Sequence, residues 1–393
     1  VAYNFDLPTK IIIGEGCSAQ LAENVARTGA KRVMCIFDKG VEGVGIVAPV
    51  LAGLEAAGIE AVRYNGVAPD PPLEIIEACT AIAAEIKPDA FVAVGGGSSI
   101  DTAKAVNANL TNPGKLKDHA IILNGLKVFP FDKPFKPLFA LPTTAGTGSE
   151  VSPASVVTDN ELKLKLSIIA PDMMPTMAII DPALMTGLPS HITASTGLDA
   201  FAHAAEGLMS GLALMSPSPM RDTFSLAAME LIFNSLLTAM KDGKNIKART
   251  DMAYAAFMAM LGSSSGLSMG HVMGHAIGEV SHVHNHGFLC ASMVPSNIEF
   301  LAECIPQHLI KLAALLKIDT SGKSIPETGA AVKRALQAFN KDCGVPTLKE
   351  LGMNPSDTKE IVHHCLSGIW YVLAPKKPSE QEMIQWLEEA YEG

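Results

Sequence analysis

No Cys-x-x-Cys spacing occurs among the seven cysteines of this 393-residue chain, which are scattered from Cys17 to Cys365. An odd, dispersed set offers neither a disulfide framework nor a structural zinc site, and fits a reducing, cytoplasmic setting. Long runs of one charge are missing too: 40 Asp+Glu stand against 30 Lys+Arg, a formal net charge of −10. The basic footprint that nucleic acid or an anionic membrane demands is therefore absent. No window approaches the ~20 uninterrupted apolar residues of a membrane span. Val1-Ala2-Tyr3-Asn4-Phe5-Asp6 lacks the basic stretch and apolar core of a secretion signal. Internal repeats and low-complexity tracts are absent as well. What is present, 48% hydrophobic and 18% charged residues, suits a globular chain that buries one or two ordinary cores. The class left standing is cytoplasmic small-molecule work, with no nucleic-acid and no membrane partner.

From Arg32 to about Asp181 short β-branched runs alternate with longer helical stretches. Arg32 to Phe37, Glu60 to Tyr64, Ala90 to Val94, Pro137 to Leu141 and Met177 to Ile180 are the expected strands; Gly45 to Ala57 and Leu73 to Ile86 are helices between them. This order predicts an α/β domain built on a doubly wound parallel sheet, Rossmann-like in class. After Pro182 the pattern turns helical: Thr193 to Met209, Arg221 to Met240, Ala248 to Met260, Leu267 to Glu279 and Gln307 to Leu316. A proline near Leu188-Pro189 marks the expected boundary, giving residues 1–188 as the α/β domain and 189–393 as an all-helical one.

Val92-Ala93-Val94-Gly95-Gly96-Gly97-Ser98 is a strand, a glycine turn and a helix start, the order that brings backbone N–H groups against a phosphate. It is not the Gly-x-Gly-x-x-Gly fingerprint, so alone it reads equally well as a tight turn. Asp38 follows the first expected strand, where a carboxylate can accept from ribose hydroxyls and repel a 2′-phosphate. A second polar loop, Thr143-Thr144-Ala145-Gly146-Thr147-Gly148, leaves another strand. Two such loops on one sheet favour a long phosphorylated ligand over either loop by itself.

Histidine placement is the strongest signal. Five of the 11 histidines, His271, His275, His282, His284 and His286, fall in one stretch. His271 and His275 are four apart, as are Asp199 and His203, so each pair shares a helix face. With a further His from the Val283 to Gly287 loop they supply the imidazole and carboxylate donors that a divalent metal takes. No Glu follows His271, so the metalloprotease pattern is not met.

Taken together, these segments resemble the iron-dependent (group III) alcohol dehydrogenases over nearly the whole length. The matching stretches are Gly95-Gly96-Gly97-Ser98 with Asp101 and Lys104, Pro142 to Glu150, Thr158-Asp159 with Lys163, Thr196 to Ala200 with His203 and Glu206, and Gly270-His271 with His275 and His286-Gly287. The resemblance implies a dehydroquinate synthase-like architecture and NAD spread over the amino-terminal sheet. Gly95, Gly96, Gly97 and Ser98 would lie at the pyrophosphate, Thr143, Thr144 and Thr147 against the cofactor, and Lys163 at the nicotinamide ribose. Asp38 sits where an acidic residue favours NAD over NADP. The implied metal ligands are Asp199, His203, His271 and His286, with His284 as the fallback for the last, and His275 is the implied proton relay. The metal would be Fe²⁺, with Zn²⁺ as the other option.

The activity so implied is hydride transfer between a primary alcohol, hydroxyacid or diol and NAD, with the substrate oxygen on a divalent metal. The alternative is a metal- and NAD-dependent lyase related to dehydroquinate synthase. A homodimer or larger homo-oligomer is the expected assembly. Departures from the family pattern exist: His286 lies 15 positions after His271 where 14 is usual, and Ala154 and Gly262 stand where aromatic residues are frequent. If both line the pocket, it is roomier than one shaped for ethanol.

Overall fold

The computed structural model describes residues 5–114, 116–121, 128, 131–162 and 164–393. Its contacts divide the chain into two units, Val1–Gly187 and Leu188–Gly393.

Among the described residues the first unit carries eight strands: β1 (Lys10–Ile13), β2 (Arg32–Ile36), β3 (Glu60–Tyr64), β4 (Ala90–Gly95), β5 (Leu138–Pro142), β6 (Ala154–Asp159), β7 (Leu164–Ile169) and β8 (Met177–Ile180). Six of them form one parallel sheet in the order β1-β8-β5-β4-β2-β3, while β6 and β7 pair antiparallel as a separate hairpin. Strand residues alternate between two cores, as a period of two requires. Met34, Ile36, Phe91, Ala93, Leu138 and Ala140 face one core, which the helices Leu73–Ile86 and Gly97–Thr111 close with Ile76, Cys79, Ile100 and Val106. Val33, Cys35, Val92, Val94, Phe139 and Leu141 face the other, closed by Val50, Leu51 and Leu54 of the helix Val47–Ala56. Burial on both faces explains why these strands read as continuous apolar runs.

After β3, at one edge of the sheet, the chain crosses back over β2 and pairs β4 with the other side of β2. In open α/β sheets such a reversal leaves a crevice at the carboxyl ends of the two strands. Asp38 follows β2, Gly95 to Ser98 follow β4, and Thr143 to Thr147 follow β5, which is β4's other neighbour. The sequence pattern missed β1 and the hairpin. Lys10–Ile13 offers three apolar residues, none of them fully buried, and β6 alternates half-buried with buried positions, so neither has the signature of a strand buried on both faces.

Among the described residues the second unit contains helices and no strand. At its centre is Ser190–Met209, buried almost throughout from Thr193 onward and packed against Pro219–Lys241, Ile246–Gly262 and His286–Phe300. Among the described residues one helix, Pro219–Lys241, has the length and apolarity of a membrane span. In this fold it buries Ala228, Ile232 and Leu236 within the helical unit.

His286 was expected in a loop, yet it opens the helix His286–Phe300. Gly287 and Pro295 both lie within this helix, and both are accommodated by neighbours. A Cβ at Gly287 would fall 2.0 Å from the Ser195 carbonyl oxygen, so glycine lets the helix start abut the backbone of Ser190–Met209. Pro295 cannot bond the Ala291 carbonyl four residues back, and Asn340 Nδ2 donates to that carbonyl instead, at 2.7 Å.

Candidate functional site

In the first unit the two polar loops lie side by side. Gly95 has φ +154°, and a Cβ there would fall 2.3 Å from Ser99 Oγ, so the turn after β4 requires glycine. The helix Gly97–Thr111 begins at once, and its first amides, those of Gly97 and Ser98, are ones a helix leaves without an internal partner. Thr144 and Thr147 are half-exposed and stand against Gly96 and Gly97 respectively. Thr143 is different: it is buried, and its N–H donates to the Gly95 carbonyl at 3.0 Å, tying the second loop to the first. Asp38 accepts from Val41 N–H at 3.0 Å and thereby caps the short helix Lys39–Gly43. Its other carboxylate oxygen lies 3.6 Å from the position a Gly95 Cβ would take. Lys163 lies outside the described residues.

Beneath these loops is a buried ammonium. Lys104 is 1% exposed and donates to the carbonyls of Ser149, Ser152 and Ala154 at 2.7, 2.8 and 2.7 Å, and to Ser149 Oγ at 3.0 Å. Asp101, one turn earlier on the same helix, accepts from Ser149 Oγ at 2.5 Å and Val156 N–H at 3.1 Å. Burial presses Lys104 down to about 8, against the pull of Asp101 and Glu150, so it stays protonated at neutral pH. Burial likewise pushes Glu150 up to about 7. These residues bind the Gly97–Thr111 helix to the end of the second loop and to β6.

The second unit gathers its donors from three helices. Ser190–Met209 supplies Asp199 and His203, Met269–Val280 supplies His271 and His275, and His286–Phe300 supplies His286. Asp199 Oδ1 lies 3.4 Å from His286 Nε2 and 3.7 Å from His271 Nε2, and Asp199 Oδ2 lies 3.8 Å from His203 Nδ1. Ring centroids of His203 and His271 are 4.6 Å apart, and those of His275 and His286 are 4.7 Å apart, edge to face. His284 is exposed, and the cluster takes His286. One residue here carried no expectation: Cys290 Sγ lies within 4.8 Å of donor atoms of Asp199, His271 and His286.

Glu206 orders this centre from outside. Fully buried, it accepts from Ser268 N–H at 2.8 Å, His271 N–H at 3.0 Å and His271 Nδ1 at 2.7 Å. It thus caps the first turn of Met269–Val280, where the helix dipole favours a carboxylate. It also holds the proton of His271 on Nδ1. Gly270 makes the room, since a Cβ there would fall 2.2 Å from Glu206 Oε1. The spacing Asp199, His203, Glu206 places all three on one helix face, a signal in the sequence whose purpose only the fold reveals.

With that proton on Nδ1, His271 Nε2 turns a lone pair toward Asp199 Oδ1. Both atoms are buried, and among the described residues neither has a hydrogen-bond partner, nor does His203 Nδ1. Two acceptors facing each other in a dry interior are costly unless a cation lies between them. Burial opposes charge at Asp199, but His203, His271 and His286 hold its carboxyl well below the usual range. Burial presses His203 down to about 4, so it is neutral at neutral pH. Burial also opposes charge on His271, yet Cys290 and Glu206 raise it well above its ordinary value, so without a metal a proton on Nε2 stands where the cation would lie between His271 and Asp199. The donor set fits a divalent metal.

Glu206→Gln tests the orienting role. A glutamine amide offers one acceptor oxygen to three donors, so His271 loses its fixed tautomer. Metal affinity should fall by roughly 10–100-fold, as for other partners of metal-bound histidines. A titration of Zn²⁺ against a competing chelator reads this, and an unchanged affinity would remove Glu206 from the site's design.

Gly262 does not enlarge a pocket. It is buried at the end of Ile246–Gly262, where a Cβ would fall 2.2 Å from Ser225 Oγ, so its small size serves helix packing. Ala154 opens β6, half-buried, with its carbonyl taken by Lys104.

Comparison with known proteins agrees with this chemistry. Residues 8–182 match the family described as iron-containing alcohol dehydrogenase, and residues 193–391 match the carboxyl-terminal Fe-containing alcohol dehydrogenase family. A choline dehydrogenase of Bacillus subtilis (strain 168) is 35% identical over 90% of this chain and 86% of its own. An NAD-dependent methanol dehydrogenase of Bacillus methanolicus is 31% identical over 98% of this chain and 99% of its own. Among solved structures, an alcohol dehydrogenase from Oenococcus oeni matches with TM-score 0.91 and 30% identity, covering 99% of this chain and 100% of that one.

Proposed function

The chain belongs to the iron-containing alcohol dehydrogenase family and is a metal-dependent, NAD-linked alcohol dehydrogenase or aldehyde reductase, and on that premise we propose how its residues divide the work. The α/β unit, ending near Leu188, holds NAD; the helical unit holds the metal. Bound there, a divalent ion, Fe²⁺ first and Zn²⁺ second, supplies Lewis acidity toward the substrate oxygen while NAD takes or gives the hydride.

In this reading Asp199, His203, His271 and His286 hold the ion. The observation that carries it is the pair of buried, partnerless atoms Asp199 Oδ1 and His271 Nε2 facing each other at 3.7 Å. Gly95, Gly96, Gly97 and Ser98 receive the pyrophosphate at the helix N-terminus, and Thr144 and Thr147 offer hydroxyls beside it. Thr143 acts through the backbone, by fixing the second loop. Lys163 belongs to the proposal on resemblance alone. His275, half-exposed and edge-on to His286, is the group that holds or passes a proton at an imidazole nitrogen. The substrate class is a small primary alcohol or its aldehyde, including diols and hydroxyacids. The enzyme works in the cytoplasm, consistent with seven free cysteines, as a homodimer or larger homo-oligomer.

The direct test is NADH formation from a panel of primary alcohols, diols and hydroxyacids, comparing metal-free protein with protein loaded with Fe²⁺ or Zn²⁺. Turnover that requires metal is the expected result. Metal and NAD binding with no turnover on any member would favour the lyase reading. Asp38 gives a second test. At about 4 Å a carboxylate repels a 2′-phosphate charge by about 1 to 4 kcal/mol, depending on the local dielectric. Asp38→Ala should therefore raise the NADP⁺ to NAD⁺ ratio of kcat/KM by about fivefold or more; an unchanged ratio would leave Asp38 only its helix-capping role.

A further inference from the structure

We propose that Cys290 is a sulfur ligand of the same metal ion, a donor outside the four assigned above; the inference rests on the metal-site reading. Cys290 follows His286 by four residues, so the two share a face of the helix His286–Phe300. Its side chain is fully buried, with Sγ 3.6 Å from the His286 ring nitrogens. The atoms of Asp199, His271, His286 and Cys290 that could bind a metal all lie within 4.8 Å of one another. Within this set Asp199 Oδ1 and His271 Nε2 have no hydrogen-bond partner among the described residues, and the two residues are 3% and 1% exposed. The thiol therefore stands in a cluster that already calls for a cation. Gly274 leaves room for it, since a Cβ there would fall 2.8 Å from Cys290 Sγ.

The chemistry balances without a co-reactant. On metal binding the S–H bond breaks, a metal–sulfur bond forms, and the proton leaves to solvent, as for any cysteine ligand. A centre with one carboxylate and one thiolate carries less net positive charge than one with a carboxylate and neutral imidazoles alone. It also gains a soft donor, and soft thiolate favours zinc over iron. Cys290 thus bears on which metal this member of the family retains.

The experiment uses the full-length protein loaded with Zn²⁺ and, separately, with Co²⁺. X-ray absorption at the zinc edge should show one sulfur scatterer at about 2.3 Å, and the cobalt form should show a sulfur-to-metal charge-transfer band in the near ultraviolet. Cys290→Ser and Cys290→Ala should lose both signatures while metal analysis still finds bound ion. Metal bound without sulfur in the unmodified protein overturns the proposal and leaves the metal site standing. A sulfur signature that persists in both variants also overturns it. Failure to bind either ion overturns the proposal together with the metal-site reading. The unmodified protein answers the central question even if neither variant folds.

Discussion

Asp199→Ala is expected to abolish metal-dependent turnover and leave NAD binding intact. Asp199 reaches toward three histidines from one helix, and its carboxyl is held ionised by them despite complete burial. Alanine removes the anionic donor that draws a cation among otherwise neutral imidazoles, and a metal at micromolar concentration should no longer be retained. The metal-free variant should also lose stability at neutral pH, since a carboxyl held below its ordinary range by three histidines stabilises the fold wherever it is ionised, and that share fades as pH falls through the lowered value. The ligand-linked gain, worth about 2.7 kcal/mol at a metal concentration 100 times Kd, disappears as well. Melting curves with and without Zn²⁺, beside an NAD titration, separate these effects. A variant that keeps the parent's metal-induced rise in Tm would show that Asp199 is not a ligand.

The polar loops of the α/β unit were more legible in the sequence than the histidine cluster of the helical unit. Strands buried on both faces leave unbroken apolar runs, and glycine, threonine and an acidic residue at their ends mark where polar loops must lie. Parallel pairing then brings the ends of β2, β4 and β5 together, which local pattern cannot show but which the alternation of strands and helices implies. Asp199, His203 and His271 were readable because helical spacing puts chemically matched residues on one face. His286 was readable as a residue but not as the start of a helix, because the support for Pro295 comes from Asn340, 45 positions away in the chain. Cys290 and Glu206 were hidden for a related reason. A cysteine one turn after a histidine, or a glutamate one turn after another, means nothing until a second helix supplies the facing group. Gly262 misled in the other direction, since a small residue near a site can serve helix contact as readily as pocket volume.

Lys104→Met should destabilise the α/β unit by about 3–5 kcal/mol, the range for removing one partner from a buried charged network. Methionine fills similar volume, so the loss measures the ammonium rather than a cavity. Without it the carbonyls of Ser149, Ser152 and Ala154 lose their donor in an interior with little access for water. Asp101 also loses the cation that counters its desolvation. Burial already raises Asp101 above the usual carboxyl range, with Lys104 pulling it down, so the variant's Asp101 rises further. A carboxyl raised in the folded state binds more protons there than in the unfolded chain, so stability falls as pH climbs from its ordinary value through the raised one. The penalty should therefore be largest at neutral and alkaline pH and shrink toward acid, and Lys104→Met combined with Asp101→Asn should recover part of it. The variant should also bind NAD more weakly, because Thr144 and Thr147 ride on the loop whose far end Lys104 anchors. Urea denaturation across pH reads the first effect and calorimetric NAD titration the second. A loss that is small and independent of pH would mean that the loop is held by its packing and that the buried ammonium is incidental.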